Sequence, residues 1–179
     1  MQNDQRFLHT ATLVLAALAL SAGVPPAQAH AACPNANAAP GDAANHALRR
    51  AVRCIVNEER VARGLRSLRS QGALRKAARG HARDMVERGY FAHEREGSTT
   101  RSRLRDAGWD GHSAGETLAW GCGSLGVPRA IVDGWLGSPA HRDILLGRSY
   151  RRAGIGLAVG APEPTDCPGA GTWVMVVGN

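Results

Sequence analysis

Four cysteines, Cys33, Cys54, Cys122 and Cys167, constrain this chain more than any other feature. No two of them form a C-x-x-C pair, so a zinc ribbon or a thioredoxin-like redox site is not expected. An even count without such a pair fits a disulfide framework, provided that the chain enters an oxidising compartment. Four cysteines allow three pairings. We favour Cys33–Cys54, which ties an N-terminal arm to a first helix, and Cys122–Cys167, which ties a loop to a final hairpin.

The N-terminal residues supply the compartment. Arg6 precedes the apolar run Ala11 to Val24, and Ala27-Gln28-Ala29 has the A-x-A form of a signal-peptidase site. Residues 1–29 therefore read as a secretory signal peptide, with an uncleaved anchor as the alternative. A comfortable membrane span needs about 20 apolar residues, and no later segment has them. The expected mature protein is secreted or held in the cell envelope, with an arm over residues 30–46 and one domain over residues 47–179.

The formal charge is +7 and Lys76 is the single lysine, so the basic character is that of arginine. Acidic polymers or lipid headgroups of an envelope could be attracted. The arginines read, however, as spread over several helix faces. Nucleic acid is not an expected partner, because no aromatic residues interleave with a basic patch.

The first helix is read from Leu48, Ala51, Val52, Ile55, Glu59 and Ala62 at helical spacing, ending at Gly64. A second is expected to start at Ser70, with Leu74, Ala77, Ala78, His81, Ala82 and Met85 as its apolar stripe and Gly89 as its stop. Shorter helices follow over Arg101 to Ala107, from Pro128 to Trp135, and from Ser138. Ser138 is suited to cap that last helix and Pro139 to its first position. "AGETLAWG" reads as extended. After Tyr150, "AGIGLAVG" and "TWVMVV" read as two antiparallel strands joined by a long Gly/Pro-rich connection. Helices followed by a small antiparallel sheet make the fold class α+β.

The common hydrolytic signatures, H-E-x-x-H and G-x-S-x-G, are missing, as are a P-loop and a dinucleotide-binding glycine fingerprint. Three segments carry the remaining chemistry. "GYFAHE" places His93 just past a helix, "SAGETLAWG" contains Glu116, and "WLGSPAHR" places His141 in the first turn of a helix. The positive end of the helix dipole there favours the neutral imidazole. His81 is expected in the core and His112 in solvent. Trp120, Trp135 and Trp173 are expected in the core. Arg142 could contact an anion or serve as a plain surface charge.

In order, N-x-x-R in "VNEERVARGLRSL", "ARDM…YFAH", "GET", W-x-x-S-x-x-H-R, a Y-x-x-x-G-I-G strand start and a closing Trp-containing strand resemble the CAP superfamily. That superfamily comprises cysteine-rich secretory proteins, antigen 5 and pathogenesis-related proteins; the match is to its short bacterial form and spans roughly Ala47 to Gly178. The resemblance implies an α-β-α sandwich with a small central antiparallel sheet, and a shallow cleft where His93, His141 and Glu116 converge. Longer relatives carry a second acid three residues after the tryptophan, where this chain has Ser138, and an Asn where it has Thr117.

Two imidazoles and a carboxylate are a normal ligand set for Zn²⁺, and the resemblance adds zinc or magnesium as cofactors to expect. The expected function is an extracellular or envelope binding module of monomeric form, without robust catalysis. Its ligand would be a lipid, glycan or protein of the envelope. The alternatives are a metal-assisted, protease-like hydrolase with Glu116 as third ligand or general base, a lipid or sterol carrier by family analogy, and a hydrogen-bonded cluster with a purely structural role.

Overall fold

The computed structural model describes residues 33–179. The expected signal peptide, residues 1–29, and residues 30–32 of the expected arm lie outside the described residues. Among the described residues, five α-helices and four strands follow in the order α1 (Asn45–Ala62), β1 (Arg69–Ser70), α2 (Gly72–Arg88), α3 (Thr100–Asp106), β2 (Ala114–Gly121), α4 (Pro128–Gly137), α5 (Pro139–Leu145), β3 (Arg152–Val159) and β4 (Gly171–Gly178). The sheet order is β1-β3-β4-β2. β4 pairs antiparallel with β2 on one side and with β3 on the other.

The two faces of this sheet carry separate apolar clusters. Ile155, Leu157, Trp173, Met175 and Val177 point to one face and pack with Leu48, Val52 and Ile55 of α1 and with Ile131 and Trp135 of α4. Val174, Val176 and Leu118 point to the other, against Leu74, Ala78, Ala82 and Met85 of α2 and Leu104 of α3. Strand alternation thus sends successive residues of β4 into different layers, and the result is an α-β-α sandwich.

α2 lies directly on β3. A Cβ at Gly154 would fall 2.1 Å from the Leu74 backbone, and one at Gly156 2.1 Å from the Ala78 carbonyl oxygen. The glycines of "AGIG" are therefore the condition for this close helix–strand approach.

Both favoured disulfides are present, with Cα–Cα separations of 5.8 Å for Cys33–Cys54 and 6.0 Å for Cys122–Cys167. In the chain-entropy view, loops of this length contribute about 3–4 kcal/mol each.

The structure corrects four details. Ser70 does not open α2. Arg69 and Ser70 form a short parallel edge strand instead, with the Arg69 N–H on the Arg151 carbonyl and the Gln71 N–H on the Ala153 carbonyl, so the sheet is mixed rather than purely antiparallel. Gln71 takes over the cap, its Oε1 accepting from the Leu74 N–H at 2.7 Å. On α1, Val56 and Arg60 are buried, whereas Glu59 is half-exposed, paired with Arg63, and Ala62 is exposed. Ser138 stands at the start of α5, but its side chain makes no capping hydrogen bond; Pro139 alone marks that start. Trp135 and Trp173 are core residues as expected, while Trp120 is half-buried.

Candidate functional site

Glu116 is the second residue of β2 to face the α2–α3 layer, two residues before the buried Leu118. Only 4% of its side chain is exposed. Burying a carboxylate costs several kcal/mol unless its oxygens are met by donors. They are met from two elements. The Arg103 Nη2 of α3 donates to Oε1 at 3.0 Å and to Oε2 at 3.1 Å. The Thr100 hydroxyl donates to Oε1 at 3.2 Å, and the His93 Nδ1 lies 3.0 Å from the same oxygen. Thr100 and Arg103 are three apart on α3 and so share one face. A capping box between Thr99 and Ser102 fixes the start of that helix.

Burial acts most strongly on the Glu116 carboxyl and favours its neutral form. The His93 hydrogen bond and the Arg103 charge oppose it, and the carboxyl is held below the ordinary carboxylate range. An ionised carboxylate can only accept, so Nδ1 of His93 carries a proton and Nε2 is left free. The imidazole is half-exposed, with 49% of its side chain in contact with solvent. Arg103 also donates to the His93 carbonyl at 2.8 Å, so a single guanidinium holds both the carboxylate and the loop that presents the histidine.

His141 stands in the first turn of α5 and is half-buried. Burial and then the neighbouring charge of His93 lower its pKa, which keeps the imidazole neutral at pH 7. It hydrogen-bonds to neither His93 nor Glu116. The structure thus joins His93 and Glu116 in direct contact and leaves His141 as a separate group that feels the charge of His93. Arg142 is exposed, and its Nη1 donates to the Leu136 carbonyl at 3.2 Å.

His81 is a fully buried residue of the α2 stripe, but it also backs the site, with Nε2 3.8 Å from Glu116. Burial lowers its pKa to about 4, so it is neutral at pH 7. The loop between α2 and α3 is fastened to α2 through Asp84. That carboxylate accepts from Arg95 at 2.9 Å, from Arg88 at 2.8 Å and from the Tyr90 hydroxyl. Asp84 lies within the "ARDM" piece of the sequence, whereas Arg103 and Thr100 carry no motif. The signal of these two in the sequence is only the three-residue spacing of a hydroxyl and an arginine after the His93 loop.

The donor set limits how a divalent cation could sit here. A cation on Glu116 would compete with Arg103 for the same two oxygens. His93 is better arranged, because Nδ1 on a carboxylate leaves Nε2 as the ligand atom, as in carboxylate–histidine–metal triads. Among the described residues, the one compact group of three metal-ligating side chains is Cys33, Cys54 and Glu58. Its sulfurs are joined in a disulfide, which removes them as ligands.

Residues 55–177 match the sequence model of the cysteine-rich secretory protein family. The chain is 35% identical over 104 residues to the uncharacterized membrane protein YlbC of Bacillus subtilis, a stretch covering 58% of this chain and 29% of that one. It is 29% identical over 103 residues to the uncharacterized protein YkwD of the same organism, covering 57% and 39%. This chain thus spans between a quarter and two fifths of the length of these curated relatives. Among solved structures, the fold is similar to an extracellular protein containing an SCP domain from Bacillus anthracis, with TM-score 0.63 and 23% identity over 75% of this chain and 41% of that one. It is also similar to an outer surface protein of Borrelia burgdorferi, with TM-score 0.62 and 21% identity over 72% and 89%.

Proposed function

Because the chain belongs to the cysteine-rich secretory protein family, also called CAP, we propose that it is an extracellular or cell-envelope binding module. Its ligand enters the cleft beside His93, Glu116 and His141, and no robust turnover occurs there. The two disulfides support an oxidising location. The observation that carries the reading is the state of Glu116. A general base must be free to take a proton and works best with a pKa near the operating pH. Glu116 is buried, ionised and bound to Arg103 through both oxygens. No free cysteine is present among the described residues to act as a nucleophile instead. His93 Nε2 and His141 then serve as polar contacts for a ligand group, and Glu116 orients His93.

The test pairs turnover with capture. Purified protein is assayed on peptide and ester substrates and for retention of envelope lipid, glycan and protein fractions. The expected result is retention of one fraction that falls in the His93→Ala/His141→Ala variant, with no steady-state turnover in either protein. Turnover that vanishes in the variant would overturn the reading.

One observation favours a second reading, a metal-assisted hydrolase. His93 is anchored through Nδ1, the arrangement that readies Nε2 for a cation. His93 and His141 would hold zinc, with Glu116 as the outer partner rather than a ligand, and the ion would supply a water of lowered pKa. Calorimetry with zinc at neutral pH decides it, since no binding by the folded protein removes this reading.

A further inference from the structure

Away from the cleft, the arginines are not evenly distributed. β1 covers β3 only at Arg152 and Ala153, and beyond it α1 and α2 flank the edge of the sheet. A groove of about 320 Å³ opens there, over Ile155. His46, Arg49, Arg50 and Arg53 line it from α1, and Arg75 and Arg79 from α2. No acidic residue lines it. None of the five arginines forms an ion pair among the described residues, where other arginines pair with Glu58, Glu59, Asp84, Glu87, Asp106 and Glu116. The one side-chain hydrogen bond within the group runs from Arg75 to the Ser70 hydroxyl at 2.8 Å. Arg49 is half-buried, and burial first, then the charges of Arg79 and Arg75, weaken its hold on its proton.

Charged side chains at a bare strand edge have one role that needs no ligand: they discourage pairing with another sheet. One or two charges suffice for that. Five arginines around one groove with no acidic residue in its lining repel one another, as Arg75 and Arg79 do Arg49, and destabilise the fold. A multivalent anion removes that cost, and the planar donor fork of arginine matches phosphate oxygens in paired hydrogen bonds.

We propose that the groove between α1 and α2, lined by Arg49, Arg50, Arg53, Arg75 and Arg79, is a binding site for a phosphate group carrying two or more negative charges, or for phosphates presented side by side. Inorganic pyrophosphate and the headgroups of an anionic bilayer share this chemistry. The site is separate from the cleft and does not depend on how the cleft acts.

The experiment uses the disulfide-bonded protein at low ionic strength. Inorganic pyrophosphate is titrated calorimetrically, and co-sedimentation is measured with vesicles of phosphatidylglycerol in phosphatidylcholine and of phosphatidylcholine alone. Two groove variants, Arg49→Gln/Arg79→Gln and Arg50→Gln/Arg75→Gln, are compared with Arg66→Gln/Arg148→Gln. That control removes the same charge from exposed arginines outside the groove. The expected result is binding of pyrophosphate that weakens at least tenfold in a groove variant and less than threefold in the control. Binding of the anionic vesicles with the same pattern assigns the site to a lipid headgroup; binding of pyrophosphate alone assigns it to a free phosphate ligand. A groove variant that fails to fold leaves the other to give the result. Absence of binding to both probes overturns the proposal, as does equal weakening by groove and control variants, which would mark a general charge effect.

Discussion

Two buried charges sit in this small domain and are handled in opposite ways. Arg60, near the end of α1, is fully buried and has no carboxylate partner among the described residues. Its guanidinium donates to four backbone carbonyls, those of Arg66 at 2.9 Å, Leu145 at 2.6 Å, Gly147 at 3.1 Å and Tyr150 at 3.3 Å. It thereby ties α1 to the end of α5 and to the segment entering β3. Glu116, in the other layer, is held by a full cation, a hydroxyl and an imidazole, and that imidazole opens to solvent. The first arrangement is fully buried and commits each of its three nitrogens to the backbone. The second is satisfied at its base and leaves one nitrogen of His93 available. A buried charge in this fold is therefore a strut where backbone dipoles satisfy it, and a platform where titratable side chains do.

The largest effect that distinguishes the two is expected at the strut. Arg60→Met leaves several carbonyls without donors inside the protein, and should cost about 3–5 kcal/mol in thermal or urea unfolding. A loss below about 1 kcal/mol would mean that water reaches those carbonyls and that Arg60 is not a strut. The platform should instead respond to pH. His81 is neutral when folded, with its pKa lowered to about 4 chiefly by burial, against about 6.5 in the unfolded chain. The unfolded state then binds the extra proton, so stability is full above about pH 6.5 and falls as pH drops towards 4. A shift of this size is worth up to about 3 kcal/mol. Urea midpoints across that window should therefore slope in the wild type and flatten in His81→Gln; equal slopes in both would contradict the placement of His81. Next in size, Arg103→Gln should lose about 2–3 kcal/mol by leaving the Glu116 carboxylate unpaired. Adding Glu116→Gln should recover part of that loss. Strict additivity of the two substitutions would deny the pairing.

The same comparison explains what the sequence could and could not convey. The α2 stripe Leu74, Ala77, Ala78, His81, Ala82 and Met85 is buried as read, because helical periodicity reports burial directly. On α1 the period alone could not tell that Arg60 replaces a hydrophobe in the buried row, because an arginine enters a core only when a distant segment brings carbonyls to it, here residues 85 to 90 positions later. The edge strand at Arg69 and Ser70 was invisible for a similar reason: two polar residues become a strand only through the partner that pairs with them. The motifs single out His93, Glu116 and His141 as candidates, and the first two are in contact. Arg103 is named by no motif, although with His93 it helps to keep Glu116 ionised, because its role comes from a hydrogen bond between α3 and β2 that only the fold makes. The gathering of five arginines around one groove likewise follows from how α1 and α2 flank β3, and helix faces taken one at a time show only dispersed charge.

The central claim is that an ionised Glu116, fixed by Arg103, holds His93 through Nδ1 and leaves Nε2 available on a solvent-exposed ring. ¹⁵N NMR of the imidazole rings at neutral pH tests it directly, with the His93 signal assigned by its loss in His93→Ala. The account predicts a His93 ring protonated at Nδ1, with Nε2 unprotonated in the neutral form, and a loss of that preference in Glu116→Gln. A neutral His93 protonated at Nε2, or a preference unchanged by Glu116→Gln, would contradict it.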